Sequence, residues 1–408
     1  MTKTINNEDK KLNFSSEREQ SQACLNSAEH EKNQGRKVLN VPNLRFPEFQ
    51  GEWITYKIKD VLSIGNGRDY KHLSNGEIPV FGTGGYMTSV DKCLYDGETT
   101  FIGRKGSINK PFYYNGKFWT VDTLFYTHSF NGITPKFTYC LFQTINWLKY
   151  NEASGVPSLS KDTIEKIKIM IPGLEEQNKI AKLMFALDER ISTQNKIIDK
   201  LQSLIKGIMV ELQKQGVDKG TWKKVFLSDV LTERNERNTD LFQVFSVSVS
   251  QGVVNQVDYL GRSFAAKDTS KYNVVHYGDL VYTKSPTGSF PYGIVKQSLN
   301  LENVAVSPLY GVYKPKSLAV GAYLHEYFMS EINTHNYLHP LIQKGAKNTI
   351  NITNQRFLEN CVLLPTNINE LLQISKLLRS LNNKIKYQQD ILQQYQKQKQ
   401  YLLRQMFI

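Results

Sequence analysis

The chain has 408 residues, of which 40% are apolar and 11% aromatic, and its formal net charge is +13 at pH 7. This composition suffices for two packed domains, and no run of about 18 apolar residues predicts a membrane span. The four cysteines are widely separated and form neither a zinc pattern nor a disulfide framework. The basic balance favours a polyanionic partner. Each globular half is only mildly basic, with 15 Lys and Arg against 12 Asp and Glu in residues 45–172 and again in residues 216–365.

The N-terminal residues 1–40 are polar and predict a disordered extension. They lack the apolar core of a secretory signal, so we expect a cytoplasmic protein. A first globular domain is predicted over residues 41–172, where Trp53 follows an extended entry segment. Its short apolar runs are separated by dipeptides that are typical of β-hairpin turns. These dipeptides are Asn66-Gly67, Asn75-Gly76, Asp96-Gly97, Asn115-Gly116 and Asn131-Gly132.

Within this β-rich pattern, Gly116–Val121 predicts a strand and residues 135–149, which begin with Pro, predict a short helix. Residues 173–215 then predict one long helix, because apolar side chains recur at intervals of three, four or seven. The positions that define this stripe include Ile180, Leu183, Leu187 and Ile191. We expect the helix to end at Gly216.

The same pattern occurs a second time. A shift of 194 residues places a matching stripe on a last helix, predicted over residues 366–408, at Ile374, Leu377, Leu381 and Ile385. Trp222 opens a second globular domain over residues 216–365, as Trp53 opens the first. The sequence therefore predicts an α+β protein with two tandem β-rich domains and two long helices. Helices of matched stripe can pair as an antiparallel coiled coil, which would give a pseudo-twofold molecule suited to two separated half-sites.

No motif for catalysis is found. The chain has no phosphate-binding P-loop and no GxSxG elbow, and Phe81–Tyr86 is glycine-rich without the spacing of a nucleotide fingerprint. His335 and His339 lack the glutamate of a zinc-protease motif. We therefore expect no catalytic residue, metal site or cofactor site on this chain.

Polar and basic loops at matching places in the two halves are better candidates for function. Lys, Arg, Ser, Thr and Asn are the side chains that contact phosphates and base edges. One such loop alone is more often simply solvated, but its occurrence in both halves favours a nucleic-acid interface. The candidate residues are Arg104, Lys105, Ser107, Ser158 and Lys161 for the first half, and Lys284, Thr287, Lys344, Lys347 and Asn348 for the second.

The order of these parts, together with the run SLSKDTIEKIKIMIPGLEEQNKIAKLM over residues 158–184, resembles the specificity subunit of Type I restriction–modification systems. The resemblance covers residues 45–408. The second copy departs from it, because residues 365–372 lack the Glu-Glu-Gln triplet. The resemblance implies that each globular half is a target-recognition domain for one part of a bipartite sequence in double-stranded DNA. It also implies that the helices are conserved spacers.

The resemblance further implies that the helices dock two modification subunits, and that restriction subunits join in the full complex. S-adenosylmethionine, ATP and Mg²⁺ would belong to those partner subunits, and this chain would hold no cofactor. Two other classes stay open from the residues alone. One is an enzyme with a duplicated fold, such as a nuclease, and the other is a coiled-coil scaffold that binds no nucleic acid.

Overall fold

The computed structural model describes residues 40–344 and 350–408, and the chain divides into two compact units. The first unit contains the described residues up to Asp188 together with Lys397–Ile408, and the second contains Glu189–Gln396. Both units combine sheets with helices, so the predicted α+β class is confirmed. In the described ranges, no helix has the length and apolar character needed to span a membrane. Lys347, Asn348 and residues 1–39 lie outside the described residues.

The first unit is built on a six-stranded sheet in the order β2-β7-β5-β6-β3-β4. Its neighbouring strands are antiparallel except for β3 and β6, which run parallel. Two further strands, β1 and β8, pair with each other. The strands are β1 (Ile54–Lys57), β2 (Ser63–Asn66), β3 (Asn75–Gly82), β4 (Gly85–Val90), β5 (Tyr95–Gly103), β6 (Phe112–Thr120), β7 (Leu124–His128) and β8 (Lys168–Ile171).

The five predicted hairpin turns were wrong, because none of these dipeptides joins two paired strands among the described residues. Asn66-Gly67 leads from β2 towards β3, and these two strands are not paired. Asp96-Gly97 and Asn115-Gly116 lie inside β5 and β6, where Gly97 and Gly116 are directly paired. Both glycines have positive φ, 145° and 130°, so their tolerance of such angles allows a local distortion of paired strands rather than a turn. Asn75-Gly76 begins β3. Asn131-Gly132 lies in a bend between β7 and the helix that begins at Pro135, with φ of 71° at Gly132.

The helices of the first unit cover one side of a core that the C-terminus completes. They are α1 (Ile58–Val61), α2 (Pro135–Phe142), α3 (Lys161–Lys166) and the start of α4 (Leu174–Asp218). The predicted helix over residues 135–149 is α2 followed by a 3₁₀ turn at Trp147–Tyr150. Trp53 packs edge-on against Phe137 and Phe407, which stack on each other with ring centroids 5.4 Å apart.

An N-terminal strap, residues 40–53, ties this unit together. The backbone N–H of Leu44 donates to the carbonyl of Gln405, and the backbone N–H of Trp53 donates to the carbonyl of Asn40. The Arg45 guanidinium donates to both oxygens of Glu176, at 2.8 and 2.7 Å, and Glu176 is nearly fully buried. The strap therefore joins the start of α4 to the end of the last helix, α9 (Ile368–Gln405).

The second unit contains shorter strands in several small sheets, the largest having the order β10-β17-β14-β15. Its strands are β9 (Trp222–Phe226), β10 (Leu231–Glu233), β11 (Phe245–Ser248), β12 (Gly252–Asn255), β13 (Asn273–Val275), β14 (Leu280–Tyr282), β15 (Val295–Gln297), β16 (Val304–Val306), β17 (Gly311–Pro315), β18 (Gln343–Lys344), β19 (Ile350–Asn351) and β20 (Cys361–Pro365). Its other helices are α5 (Gln256–Leu260), α6 (Leu318–Tyr327), α7 (Glu331–Leu338) and α8 (Asn354–Phe357).

The two long helices pack together within each unit. In the first unit, Ile180 and Met184 of α4 share the core with Met406, just past the end of α9. In the second unit, Ile198 and Ile205 share the core with Ile374 and other residues of α9. Early residues of α4 meet late residues of α9 and later ones meet earlier ones, which is the predicted antiparallel pairing.

Helix α4 does not stop at Gly216 as expected but continues to Asp218. Gly216 is required for a different reason, which is the lack of space for a side chain. A Cβ atom added to Gly216 would lie 2.1 Å from Cδ1 of Trp222, so the indole ring packs directly on the helix backbone. Gly216 is therefore a packing position rather than a helix stop.

Candidate nucleic-acid interface

Four of the predicted side chains come together in one groove of the first unit. The groove has a volume of about 400 Å³. It is lined by Asn66, Arg104, Lys105, Phe125, Glu152, Ser158, Leu159, Ser160 and Lys161. Because its cations come from two loops about 50 residues apart in sequence, the groove depends on tertiary structure.

Backbone hydrogen bonds bring the two loops together. Strand β5 ends at Gly103, and the following N–H groups of Arg104 and Lys105 donate to the carbonyl of Thr123, at 2.8 and 3.3 Å. The Leu159 N–H donates to the carbonyl of Arg104 at 2.9 Å, and the Gly106 N–H donates to Pro157 at 2.8 Å. Two backbone bonds thus hold the second loop along the turn that carries the cations.

The second loop is ordered by its own polar side chains. Asn151 Oδ1 accepts from the N–H groups of Ala153 and Ser158, at 3.1 and 2.9 Å. Glu152 accepts from the hydroxyls of Thr163 and Ser160, and these bonds lower the pKa of its carboxyl group. Ser160 also caps α3 by accepting from the Thr163 N–H. The loop therefore has a defined shape before any ligand arrives.

The groove is electropositive. Arg104 and Lys105 are exposed, and the Arg104 guanidinium lies 5.9 Å from the centroid of the Phe125 ring. Lys161 is exposed and only 3.5 Å from Glu165, a loose surface pair. Burial lowers the pKa of His128, and the charge of Lys161 lowers it further, which favours the neutral imidazole. The lining of the groove therefore contains three cations and one carboxylate, that of Glu152.

Ser107 lies in the same turn as Lys105 and is half-buried, outside the residues that line the groove. Phe125 and Glu152 line the groove but were not identified from the sequence. Phe125 looks like an ordinary apolar strand residue. Glu152 gives only a weak signal in the sequence, because it is an acidic side chain beside a loop rich in hydroxyl groups. Its place in the groove depends on hydrogen bonds from Ser160 and Thr163, which form only when the loop folds back.

The basic loop of the second unit is built differently. Lys284 is half-buried and adopts a φ of 56°, which is uncommon for a residue with a side chain. Burial lowers the pKa of Lys284, and the Glu233 carboxylate opposes this effect. The Thr287 hydroxyl donates to the carbonyl of Ser285 at 3.0 Å. Lys284 is thus partly withdrawn from solvent, unlike Arg104.

The second loop of this unit is described only at its ends. Lys344 is the last residue of β18, which pairs with β19. Lys347 and Asn348 lie outside the described residues. Beyond β19, Thr353 caps α8 as Ser160 caps α3. Asn354 then occupies the place that Lys161 has in the first unit, and its Nδ2 donates to Glu233 at 2.6 Å. An amide held by the Glu233 carboxylate thus replaces the exposed cation of Lys161.

The helix positions singled out in the sequence mostly contribute to each unit's own core. Ile180 and Leu187 are buried in the first unit, and Ile374 and Ile385 are buried in the second. Leu183, Ile191 and Leu381 are half-buried, and Leu377 is 45% exposed. The outer surface of the helices is therefore formed mainly by the residues between these positions.

No group of three or more His, Cys, Asp or Glu side chains able to hold a metal ion occurs within residues 40–344 and 350–408. Besides Glu152 and the apolar Phe125 and Leu159, the candidate interface offers cations, hydroxyl groups and amides. Such groups bind anions and hydrogen-bond to nucleic-acid edges.

Comparison with known proteins agrees with this chemistry. Residues 50–203 match the family model described as Type I restriction modification DNA specificity domain. The chain is 33% identical over 128 residues to the Type I restriction enzyme MjaVIII specificity subunit of Methanocaldococcus jannaschii, covering 30% of this chain and 28% of that protein. It is 28% identical over 195 residues to the MpnII specificity subunit of Mycoplasma pneumoniae, covering 44% and 56%. The chain thus spans between about a quarter and somewhat over half of these relatives.

The fold has a counterpart among solved structures. The crystal structure of a Type I restriction–modification system S subunit from M. genitalium matches with a TM-score of 0.64 at 11% identity, covering 90% of this chain and 99% of that one. At this identity the likeness concerns the fold. The resemblance to Type I specificity subunits that the sequence indicated is confirmed by the family model and by these relatives, and residues 50–203 match the Type I restriction modification DNA specificity domain.

Proposed function

We propose that this chain is the DNA-recognition subunit of a Type I restriction–modification complex, and that each unit binds one part of a bipartite double-stranded target. The observation that carries the proposal is the groove in which Arg104, Lys105 and Lys161 face one concavity beside hydrogen-bonding Ser158. Cations of this kind neutralise phosphates and release counterions, which gives affinity. Ser107 would add a polar contact at the edge of the same turn.

In the second unit, the same function is assigned to Lys284, Thr287, Lys344, Lys347 and Asn348. The partial burial of Lys284 and its lowered pKa favour a short-range contact over a freely moving phosphate contact. The two units would therefore bind DNA with different chemistry, as expected if the two half-sites differ in sequence.

The long helices would dock two modification subunits, with restriction subunits joining in the full complex. The buried stripe at Ile180, Leu187, Ile374 and Ile385 supports this by fixing how the helices pair inside each unit. The exposed side chains between them would contact the partners. This chain would have no catalytic activity, while S-adenosylmethionine, ATP and Mg²⁺ would bind to the partner subunits in the cytoplasm.

The test uses the full chain assembled with its modification subunits. Arg104→Ala combined with Lys105→Ala should weaken DNA binding and lower the slope of log K against log salt by about two, because two phosphates would no longer be neutralised. The matched control is Lys110→Ala with Lys117→Ala, which removes the same charge from exposed positions outside the groove. Sequencing of methylated adenines in cells would give the target of each variant.

Equal slopes for the two pairs would refute the groove as the DNA contact. Absence of any sequence preference in the unaltered complex would refute the proposed function itself and would favour a scaffold. DNA cleavage or methyl transfer by the chain alone would instead favour an enzyme.

A further inference from the structure

An eight-residue segment of the second unit, Val257–Phe264, exposes an unusual amount of apolar surface. Val257, Tyr259, Leu260 and Phe264 are between 43% and 58% exposed. Helix α5, which supplies the first three, has no buried residue. A helix in a soluble protein normally buries one face, and a cluster of exposed apolar side chains usually marks a binding surface.

The segment is nevertheless held in a defined shape by polar contacts. Gln256 is central, because its Oε1 accepts from the Phe264 N–H at 2.7 Å and its Nε2 donates to the Ser246 hydroxyl at 3.2 Å. The Ser248 hydroxyl donates to the Tyr259 hydroxyl at 3.2 Å. These bonds anchor the segment to strand β11. The apolar side chains are thus presented outward by a preformed support, which reduces the entropy cost of binding a ligand.

Cations are interleaved with these apolar side chains. The Arg262 guanidinium lies over the Phe264 ring, 4.5 Å from its centroid. Lys267 and Lys271 follow and are exposed, and none of these three cations has a carboxylate partner within 4.0 Å among the described residues. Two acids lie nearby in sequence: Asp258 in helix α5, and Asp268, which accepts from the Ser270 N–H. A cation stacked on an aromatic ring, with two further unpaired cations close by in sequence, matches a ligand with a charged backbone and bases that have flat apolar faces.

The place of the segment in the repeat points the same way. The interval from Trp53 to Gly97 in the first unit corresponds to the interval from Trp222 to Gly278 in the second, which is about twelve residues longer. The flanking elements correspond, whereas the contents of the two intervals differ. In the first unit this interval holds the β3–β4 hairpin, which exposes Tyr86 and Met87. Elements that read different bases must differ between otherwise repeated units.

We propose that Val257–Phe264 inserts into a groove of the DNA duplex and reads base pairs of the half-site bound by the second unit. Phe264, Leu260 and Tyr259 would contact bases and thymine methyl groups, as apolar side chains do in known complexes. Arg262, Lys267 and Lys271 would contact the flanking phosphates. This inference rests on the proposed function and adds the element that reads sequence in the second unit.

The experiment selects bound sequences from a random duplex library with the full chain assembled with its modification subunits. In Leu260→Ala with Phe264→Ala, we expect one half of the selected motif to relax, with discrimination reduced about ten-fold or more, while the other half is unchanged. The control is Leu301→Ala, because Leu301 is an apolar side chain of the same unit that is 89% exposed. The control should leave the motif intact. Both proteins should fold normally, since the side chains removed are exposed.

A second variant, Lys267→Ala with Lys271→Ala, should weaken binding to all sequences and reduce the salt slope by about two. A motif that stays unchanged in the Leu260→Ala, Phe264→Ala protein overturns this inference while the proposed function stands. Loss of modification-subunit binding with an unchanged motif overturns it as well, since the segment would then dock a protein. If the unaltered complex selects no motif, the proposed function fails first.

Discussion

The contact between Arg45 and Glu176 is expected to contribute strongly to the stability of the first unit, because it neutralises a carboxylate that is almost sealed from solvent. The side chain of Glu176 is 3% exposed and that of Arg45 is 16% exposed. Arg45 also donates to the carbonyls of Gly51 and Gln50, at 2.5 and 3.3 Å. Removing one partner of a buried pair typically costs about 3–5 kcal/mol, because the remaining charge is left buried. We predict a decrease of about 3 kcal/mol in the unfolding free energy of this unit for Arg45→Ala.

Two further variants separate the charge from the packing. Arg45→Met with Glu176→Leu replaces the pair by apolar side chains and should cost less than Arg45→Ala alone, because no charge stays uncompensated. Lys179 lies 4.7 Å from the centroid of the Phe46 ring, but its side chain is 46% exposed. Lys179→Ala should therefore cost less than about 1 kcal/mol.

The measurement must be local, because two units need not unfold in a single transition. Amide hydrogen exchange of peptides from residues 44–57 and 171–188, followed as a function of urea, reports on the first unit alone. Peptides from residues 222–365 serve as the internal reference. Unchanged protection of the first unit in Arg45→Ala, or an equal decrease in the single and double variants, would refute the reasoning.

Three other perturbations have expected results. Gly216→Ala should destabilise the second unit, although Ala normally favours helix by about 0.5–1 kcal/mol, because the new methyl group overlaps the Trp222 ring; urea unfolding of this unit checks the sign. Burial lowers the pKa of Lys296 to about 8 from 10.5. Between these values the unfolded chain binds more protons, so stability should rise with pH by roughly 3 kcal/mol. Lys296→Met should abolish that rise in urea titrations at pH 8 and 10.5. Phe407→Ala should cost the first unit about 3–5 kcal/mol by emptying its site against Phe137, which hydrogen exchange would detect.

The long helices were predictable because their signal is local and occurs twice. Ile180 and Ile374 hold equivalent positions in two stripes, and both are buried where the helices pack within their units. Periodicity of this kind depends only on neighbours along the same helix. The repeat of the opening Trp residues, Trp53 and Trp222, then predicted the domain order without any tertiary information.

Long-range polar contacts were not predictable. Glu176 looked like an ordinary acidic residue in the first turn of a helix, yet it binds Arg45 across 131 residues of sequence. Glu152 likewise becomes part of the groove only because a loop folds back on it. The glycine dipeptides failed for another reason: their tolerance of positive φ is a property of the backbone, and it serves a bend before a helix at Gly132 and a paired strand at Gly97.

Equivalent positions of the repeat also carry different chemistry. A shift of 194 residues relates Glu176 to Glu370, but Glu370 accepts from the indole N–H of Trp222 at 2.7 Å, whereas Glu176 binds Arg45. In the second unit, Trp222 follows the end of helix α4 closely in sequence, so no separate strap precedes Trp222 in this described part of the chain. In the first unit, the strap of residues 40–53 precedes the first strand, and the Glu176 carboxylate anchors this strap by binding Arg45.

The ends of the two long helices diverge in the same way. Phe407 corresponds to Gln213, and Phe137 corresponds to Tyr323. Phe407 stacks on Phe137 in the first unit, and Gln213 Nε2 donates to the Tyr323 hydroxyl at 2.9 Å in the second. Replacing only one residue of either pair by its counterpart from the other unit would leave a buried polar group without its hydrogen bond, which costs about 1–3 kcal/mol. Apolar periodicity thus preserves the repeated frame, while matched contacts make each helix end specific for its own unit.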